Sequence, residues 1–186
     1  MMQNKLEKNP QKSVQIENWP EKIRIFSGAQ LKYLAFISML IDHVNKALIY
    51  PNLDGSAGLQ IISDLFDILG RIAFPLFMFL LVEGYFKTRS RWKYLLYLLG
   101  FGVISEVPFD LFTTSQVFEP NWNNIMFTLA AVLITIWSID TLREKMDRLP
   151  KLLWYLASVV IVAVMCFAAM NLGLDYEHHA ILIGYF

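Results

Sequence analysis

The chain has 186 residues and no formal net charge, because 16 basic side chains balance 16 acidic ones. Apolar residues make up 56% of it and charged residues only 17%, against ~25% charged in an ordinary soluble domain. There is no basic excess of the kind that marks a nucleic-acid-binding surface, so no nucleic-acid partner is expected. The single cysteine, Cys166, excludes a disulfide within the chain. This composition predicts a helical bundle whose principal partner is the lipid bilayer.

Long apolar stretches predict an all-α fold, a polytopic transmembrane helical bundle. About 20 mostly apolar residues span the ~30 Å hydrocarbon core of a bilayer. Residues 1–29 are polar and are predicted to form a cytoplasmic N-terminal arm, and residues 30–186 the transmembrane domain. The predicted full spans are residues 31–50, 59–82, 94–112, 124–139 and 152–172, with a partial or truncated sixth span at 180–186.

Lysine and arginine alternate along the connecting segments. They are concentrated in the arm and in the loops that follow the second and fourth predicted spans. The segments 51–58, 113–123 and 173–179 contain neither residue. Because basic residues in short loops stay on the cytoplasmic side, this pattern sets the orientation. It predicts a multi-pass protein of the cell (cytoplasmic) membrane with its N-terminus in the cytoplasm.

Ionisable side chains interrupt the predicted spans. Asp42 and His43 lie near the middle of the first span, where a charge costs roughly 2.5–3.5 kcal/mol on insertion scales. With a rise of ~1.5 Å per residue, Arg71 and Glu106 reach about the same depth from their own helix ends. Asp110 follows Glu106 one turn later, on the same helix face. Asp42, His43, Arg71 and Glu106 are therefore predicted to form one buried polar layer, with Asp110 nearer the outer surface.

Two interpretations of this layer remain open. In the structural one, charges are neutralised within a helix, as when Asp42 pairs with Lys46. In the functional one, His43 exchanges protons near neutral pH and a carboxylate from a facing helix fixes its tautomer. Glu106 is the predicted orienting partner, because Asp42 is adjacent to His43 and points about 100° away on a helix. We favour the functional interpretation.

Short sequence blocks carry a resemblance to a known family. Over residues 31–133, the chain resembles the TraX family of integral-membrane proteins, named for conjugal transfer and linked to N-terminal acetylation of pilin. The blocks that carry the resemblance are IDH at 41–43, GRIAFP at 70–75, EG at 83–84 and ISEVPFD at 104–110.

The resemblance implies an acetyltransferase that takes acetyl-CoA from the cytoplasm as its donor substrate. The acceptor would be an amine or hydroxyl, such as the N-terminus of a pilin-like or other exported protein, and no metal is expected. The same polar layer is compatible with a small transporter or a proton-relay protein, which stays the alternative. The candidate catalytic residues are His43, Asp42, Glu106 and Arg71, and the candidate substrate-binding residues are Asp110, Glu83, Lys87, Arg89 and Arg91.

The predicted orientation can be tested by cysteine labelling in a variant without Cys166. Cysteines at Asn52 and Ser115 should react with a membrane-impermeant maleimide in intact cells, because both loops are expected to face outward. A cysteine at Ser90 should react only after the membrane is permeabilised. Labelling at Ser90 in intact cells would reverse the orientation.

Overall fold

A computed structural model describes residues 26–145 and 150–185 of the chain. Every regular element in those two ranges is helical, which confirms the all-α prediction. Between the first two helices the chain continues as a π-helical segment, Asn45–Ile49, and a 3-10 turn, Tyr50–Asn52. Residues 1–25 of the predicted arm lie outside the described residues. The helices are α1 (Gly28–Val44), α2 (Ala57–Arg71), α3 (Ala73–Lys87), α4 (Arg91–Thr113), α5 (Ile125–Lys145), α6 (Lys151–Asn171) and α7 (Glu177–Tyr185).

Four helical segments are long and apolar enough to cross a membrane, which indicates a multi-pass membrane protein. They are Ala57–Lys87, formed by α2 and α3 together, Arg91–Thr113, Ile125–Lys145 and Lys151–Asn171. These segments contain most of the second to fifth predicted spans. The first predicted span is not among them, because α1 has only 17 residues before the helix changes to π geometry. With nine residues, α7 is too short to span. The count of five spans and a partial sixth is therefore not confirmed.

Proline and serine residues set several helix boundaries. Pro75 has no N–H to donate to the carbonyl of Arg71, a property that by itself predicts a break in the helix, and α2 and α3 are separated at Ile72. Ser56 and Ser90 cap the N-termini of α2 and α4 with their side-chain oxygens. Only residues 88–90 connect α3 to α4.

Polar contacts attach α1 to α2. Asn45 is buried, and its side-chain amide donates to the carbonyl of Ser63 at 3.0 Å and to Asp67 Oδ1 at 3.1 Å. The hydroxyl of Ser38, also buried, donates to the carbonyl of Leu69. Since such groups find no water in hydrocarbon, these bonds fix both the spacing and the rotation of α1 on α2.

The apolar core lies where α3, α5 and α7 meet. Small and branched side chains allow these helices to approach closely, and Gly184 of α7 faces Val132 and Met78. The outward faces of the helices are mostly apolar, as expected for a surface in contact with lipid. The buried side chains of this core include Phe74, Met78, Leu81, Tyr85, Leu129, Val132, Leu133, Ala180 and Ile181.

Replacing Gly70 by alanine should destabilise the bundle. A Cβ atom there would lie 2.6 Å from Cβ of Asp42, so α1 and α2 would have to separate. We expect a loss of ~1–3 kcal/mol, measured by thermal unfolding of the purified protein in detergent.

Gly100→Ala is the matched control, since a Cβ on this helical glycine meets nothing within 4 Å. It should be neutral or stabilise the protein by ~0.5–1 kcal/mol. Equal melting temperatures for the two variants would contradict the close approach of α1 to α2.

Candidate functional site

A cavity of about 790 Å³, here called the histidine cavity, lies beside the end of α1. Its walls come from α1, from the junction of α2 and α3, from the end of α4 and from two loops, 114–124 and 172–176. It combines aromatic walls with a small group of ionisable side chains, the composition expected of a small-molecule site. The lining includes Met39, Asp42, His43, Lys46, Gly70, Phe74, Phe77, Phe109, Phe112, Trp122, Asn124, Asp175 and Tyr176.

The ring of His43 is held by a backbone bond and a stacking contact. Its Nδ1 lies 2.8 Å from the carbonyl oxygen of Met39. A carbonyl can only accept, so in the neutral ring Nδ1 carries the proton and Nε2 keeps the lone pair. The ring also stacks on Phe112, with centroids 5.2 Å apart and planes inclined by 22°. His43 is therefore oriented with one nitrogen available as a proton acceptor.

Asp42 is paired within its own helix. Its Oδ2 accepts from Lys46 Nζ at 2.7 Å, the pairing expected under the structural interpretation. The same oxygen lies 3.8 Å from Nδ1 of His43. Asp42 thus lies next to both basic side chains of this helix end. The Asp42 side chain occupies space that is free because residue 70 is a glycine.

Glu106 and Asp110 stand behind the wall of the histidine cavity. One oxygen of Glu106 accepts from the backbone N–H of Asn124 at 3.2 Å and from its side-chain amide. Asp110, fully buried, accepts from the backbone N–H of Glu119 at 2.9 Å. The partner of His43 is therefore the Met39 carbonyl and not, as the sequence had predicted, Glu106. The prediction was wrong because depth along a helix does not fix the direction of a side chain. Both carboxylates hold the loop after α4.

Arg71 is exposed at the end of α2 and does not line the histidine cavity. Its charge still acts on the cavity wall at Tyr176. Burial raises the pKa of the Tyr176 phenol, the carboxylates of Asp175 and Asp42 add to this rise, and Arg71 opposes it. The polar layer predicted from depth is thus divided, with Asp42 and His43 in the cavity, Glu106 behind it and Arg71 beside it.

Asp175 and Tyr176 were not predicted to belong to the site. They lie in the short loop before α7, where the sequence shows only a segment without lysine or arginine. The Tyr176 ring stacks on Phe74 at a centroid distance of 3.9 Å, which closes the loop over the α2–α3 junction. The available signal was the glycine at position 173, which marks a tight turn just before an acidic and an aromatic residue.

Residues 27–186 match the family model described as TraX protein. The chain belongs to the TraX family. It is also similar to the probable fimbrial assembly protein FimC, serogroup H1, of Dichelobacter nodosus, with 37% identity over 118 residues. That match covers 60% of this chain and 46% of the relative, so it spans less than half of the relative's length. No solved structure matches the chain.

Three of the four blocks that carry the TraX resemblance meet at the histidine cavity. The first block supplies Asp42 and His43, and the second supplies Gly70 and Phe74. The fourth, ISEVPFD, provides Phe109 as lining and places its two acidic residues behind the wall, whereas the EG block does not line this cavity. Segments that are far apart in the TraX chain thus build one site.

A second cavity of about 680 Å³, here called the basic cavity, lies between α3, α4 and α5. Phe77 lines both cavities, so the two adjoin at this residue. The cationic lining residues include Lys32, Arg89 and Lys93. Such a cluster suits a ligand that carries phosphate groups.

The other predicted substrate-binding residues near this cavity have partners of their own. Lys87 lines the basic cavity and forms an ion pair with Glu83 one turn earlier. Arg91 is not in the lining; it binds Asp140 at 2.8 Å and lies 4.5 Å above the ring of Tyr85. Arg91 therefore joins α3, α4 and α5, a contact that explains its place without a ligand.

Proposed function

We propose that this TraX-family protein is an integral-membrane acetyltransferase that uses cytoplasmic acetyl-CoA. The acceptor is an amine (or hydroxyl), such as the N-terminus of an exported protein or pilin. The observation that carries the proposal is the pair of cavities on either side of Phe77, one basic and one containing an oriented histidine. The name of the relative, a fimbrial assembly protein, supports a pilus-related acceptor.

The basic cavity is proposed to hold the nucleotide of acetyl-CoA. Its cations belong to the part of the chain that the charge pattern assigns to the cytoplasm, where acetyl-CoA is made available. Burying phosphates in hydrocarbon would be prohibitively costly, so the nucleotide stays at this mouth. The slender, uncharged pantetheine arm then passes Phe77 and brings the thioester to His43.

His43 is proposed to act as the general base. For an ammonium acceptor, Nε2 of His43 takes one proton, and the freed amine attacks the thioester carbonyl carbon. The carbon–sulfur bond breaks, a second proton moves to the departing sulfur, and the third stays on the new amide nitrogen. A hydroxyl acceptor would give up its single proton and form an ester. Positioned base catalysis of this kind accelerates a reaction by ~10²–10⁴-fold.

The carboxylates behind the wall act indirectly in this proposal. Glu106 and Asp110 hold the backbone of the 119–124 loop, and through it Asn124 and Trp122 in the cavity lining. Arg71 is proposed to stabilise the developing oxyanion, for which its exposed side chain would have to turn inward to reach the thioester.

His43→Gln should lower acetyl transfer by ~10²-fold or more, because no base remains, while acetyl-CoA still binds. His179→Gln removes a histidine outside the cavity lining and is the matched control. Transfer is followed in liposomes with radiolabelled acetyl-CoA and its binding by thermal shift. Near-normal turnover in His43→Gln would refute the assignment, and proton flux without acetyl-CoA binding would favour a proton relay.

The double variant Arg89→Glu/Lys93→Glu should bind acetyl-CoA about tenfold more weakly, because the phosphates lose charge-assisted contacts. Its affinity for S-acetylpantetheine, which lacks the nucleotide, should not change. Lys145→Glu/Lys151→Glu is the matched control, with the same change of charge on exposed residues outside the basic cavity. Equal losses in both double variants would mean that general charge, and not this cavity, attracts the donor.

A further inference from the structure

The loop between α6 and α7 supplies the histidine cavity with a carboxylate that the proposed chemistry does not use. Asp175 lines this cavity, as do Asp42 and His43. Asp42 is already neutralised by Lys46 at 2.7 Å. Asp175 is in none of the ion pairs formed by the described residues, and its Oδ1 accepts the backbone N–H of Tyr176 at 3.1 Å. It is therefore the carboxylate of the cavity that lacks a cationic partner.

The backbone around Asp175 is held from the side of α5. Thr128 is fully buried, and its hydroxyl donates to the carbonyl of Asp175 at 2.8 Å. Two residues earlier, the carbonyl of Gly173 accepts the N–H of Asn123 at 2.8 Å. Gly173 has φ +59°, and a Cβ there would overlap the carbonyl oxygen of Asn121. Asp175 is thus presented to the cavity on a fixed backbone.

Tyr176 continues this loop in a strained conformation. Its φ of +58° is rare for a residue with a side chain, and such strain gathers at functional sites where the surroundings hold it. Here the surroundings are the ring of Phe74, stacked at 3.9 Å. The consequence is an aromatic wall directly beside the carboxylate of Asp175.

The electrostatics of this position favour a cationic ligand. Burial raises the pKa of Asp175. The negative charge of Asp42 adds to this rise, while Lys46 and His43 oppose it. A partly buried carboxylate without an ion partner gains from a ligand that brings a positive charge. The faces of neighbouring aromatic rings also attract ammonium groups.

We propose that Asp175 binds the protonated amino group of the acceptor, with Tyr176 and Phe74 packing against the carbon atoms next to it. That the bound amine is the acceptor of acetyl transfer rests on the proposed function. The amine site itself rests on the lining of the histidine cavity. Asp175 would place the amino group in the cavity that contains His43, and it would select amines over hydroxyls of the same shape.

The test uses the full chain in lipid nanodiscs and L-phenylalaninamide as the probe, a primary ammonium beside an aromatic side chain. The comparison ligand is N-acetyl-L-phenylalaninamide, which has the same shape next to the ring but no charge. Wild-type protein should bind the free amine at least about tenfold more tightly than the acetylated form. Asp175→Asn should reduce this ratio to about one.

Glu177→Gln is the matched control, because it removes a negative charge two residues away, outside the cavity lining. It should keep the wild-type preference for the amine. Asp175→Asn keeps an oxygen that can accept the Tyr176 N–H, so its melting temperature checks that the loop is intact. Asp175→Glu, which keeps the charge, should retain part of the preference. An unchanged preference in Asp175→Asn, or none in the wild type, would overturn the inference.

Acetyl-CoA binding and acetyl transfer are measured in the same samples to separate the two proposals. Amine binding that depends on Asp175, without any acetyl transfer by the wild type, would refute the acetyltransferase and keep the amine site. Transfer to amines that is unaffected by Asp175→Asn would refute the amine site and keep the acetyltransferase.

Discussion

In hydrocarbon no water can satisfy a buried polar group, and the architecture of this chain depends on that constraint. Asn45 finds its partners on α2, so α1 is fixed in rotation on its neighbour. One carboxylate oxygen of Glu106 and one of Asp110 accept backbone N–H groups of the loop after α4, whereas the second oxygen of each has no hydrogen-bond partner among the described residues. The contacts that are made also build the cavity wall, since the loop they hold carries Trp122 and Asn124 into its lining.

The two loops at this end of the bundle depend on each other. Asn123 bonds the loop before α7 through its backbone N–H and its side chain, and Thr128 bonds the carbonyl of Asp175. Glu106 on α4 bonds Asn124, and the adjacent Asn123 bonds the loop that carries Asp175, so residues far apart in the sequence are held by neighbouring contacts. Substitution of Glu106 would disturb the site without any contact to a substrate.

The two cavities adjoin at Phe77, which lines both. The basic cavity combines apolar walls with exposed cationic side chains, where a strongly hydrated ligand can remain in contact with water. The histidine cavity has aromatic walls, with His43 held by a carbonyl and a stacked ring. A donor with a charged head and an uncharged arm fits this division, whereas a small ion would need no such partition.

The sequence by itself determined the class of protein, most helix positions, the helix break before Pro75 and the presence of Asp42 and His43 within an apolar run. These follow from local properties: hydropathy, a missing N–H, and charges within apolar runs. Only the tertiary structure decided which groups meet. Rise per residue gives depth but not the direction of a side chain, so Glu106 was expected beside His43 and instead holds a loop. Asp175 entered the site through hydrogen bonds between distant loops, which leave no periodic trace in the sequence.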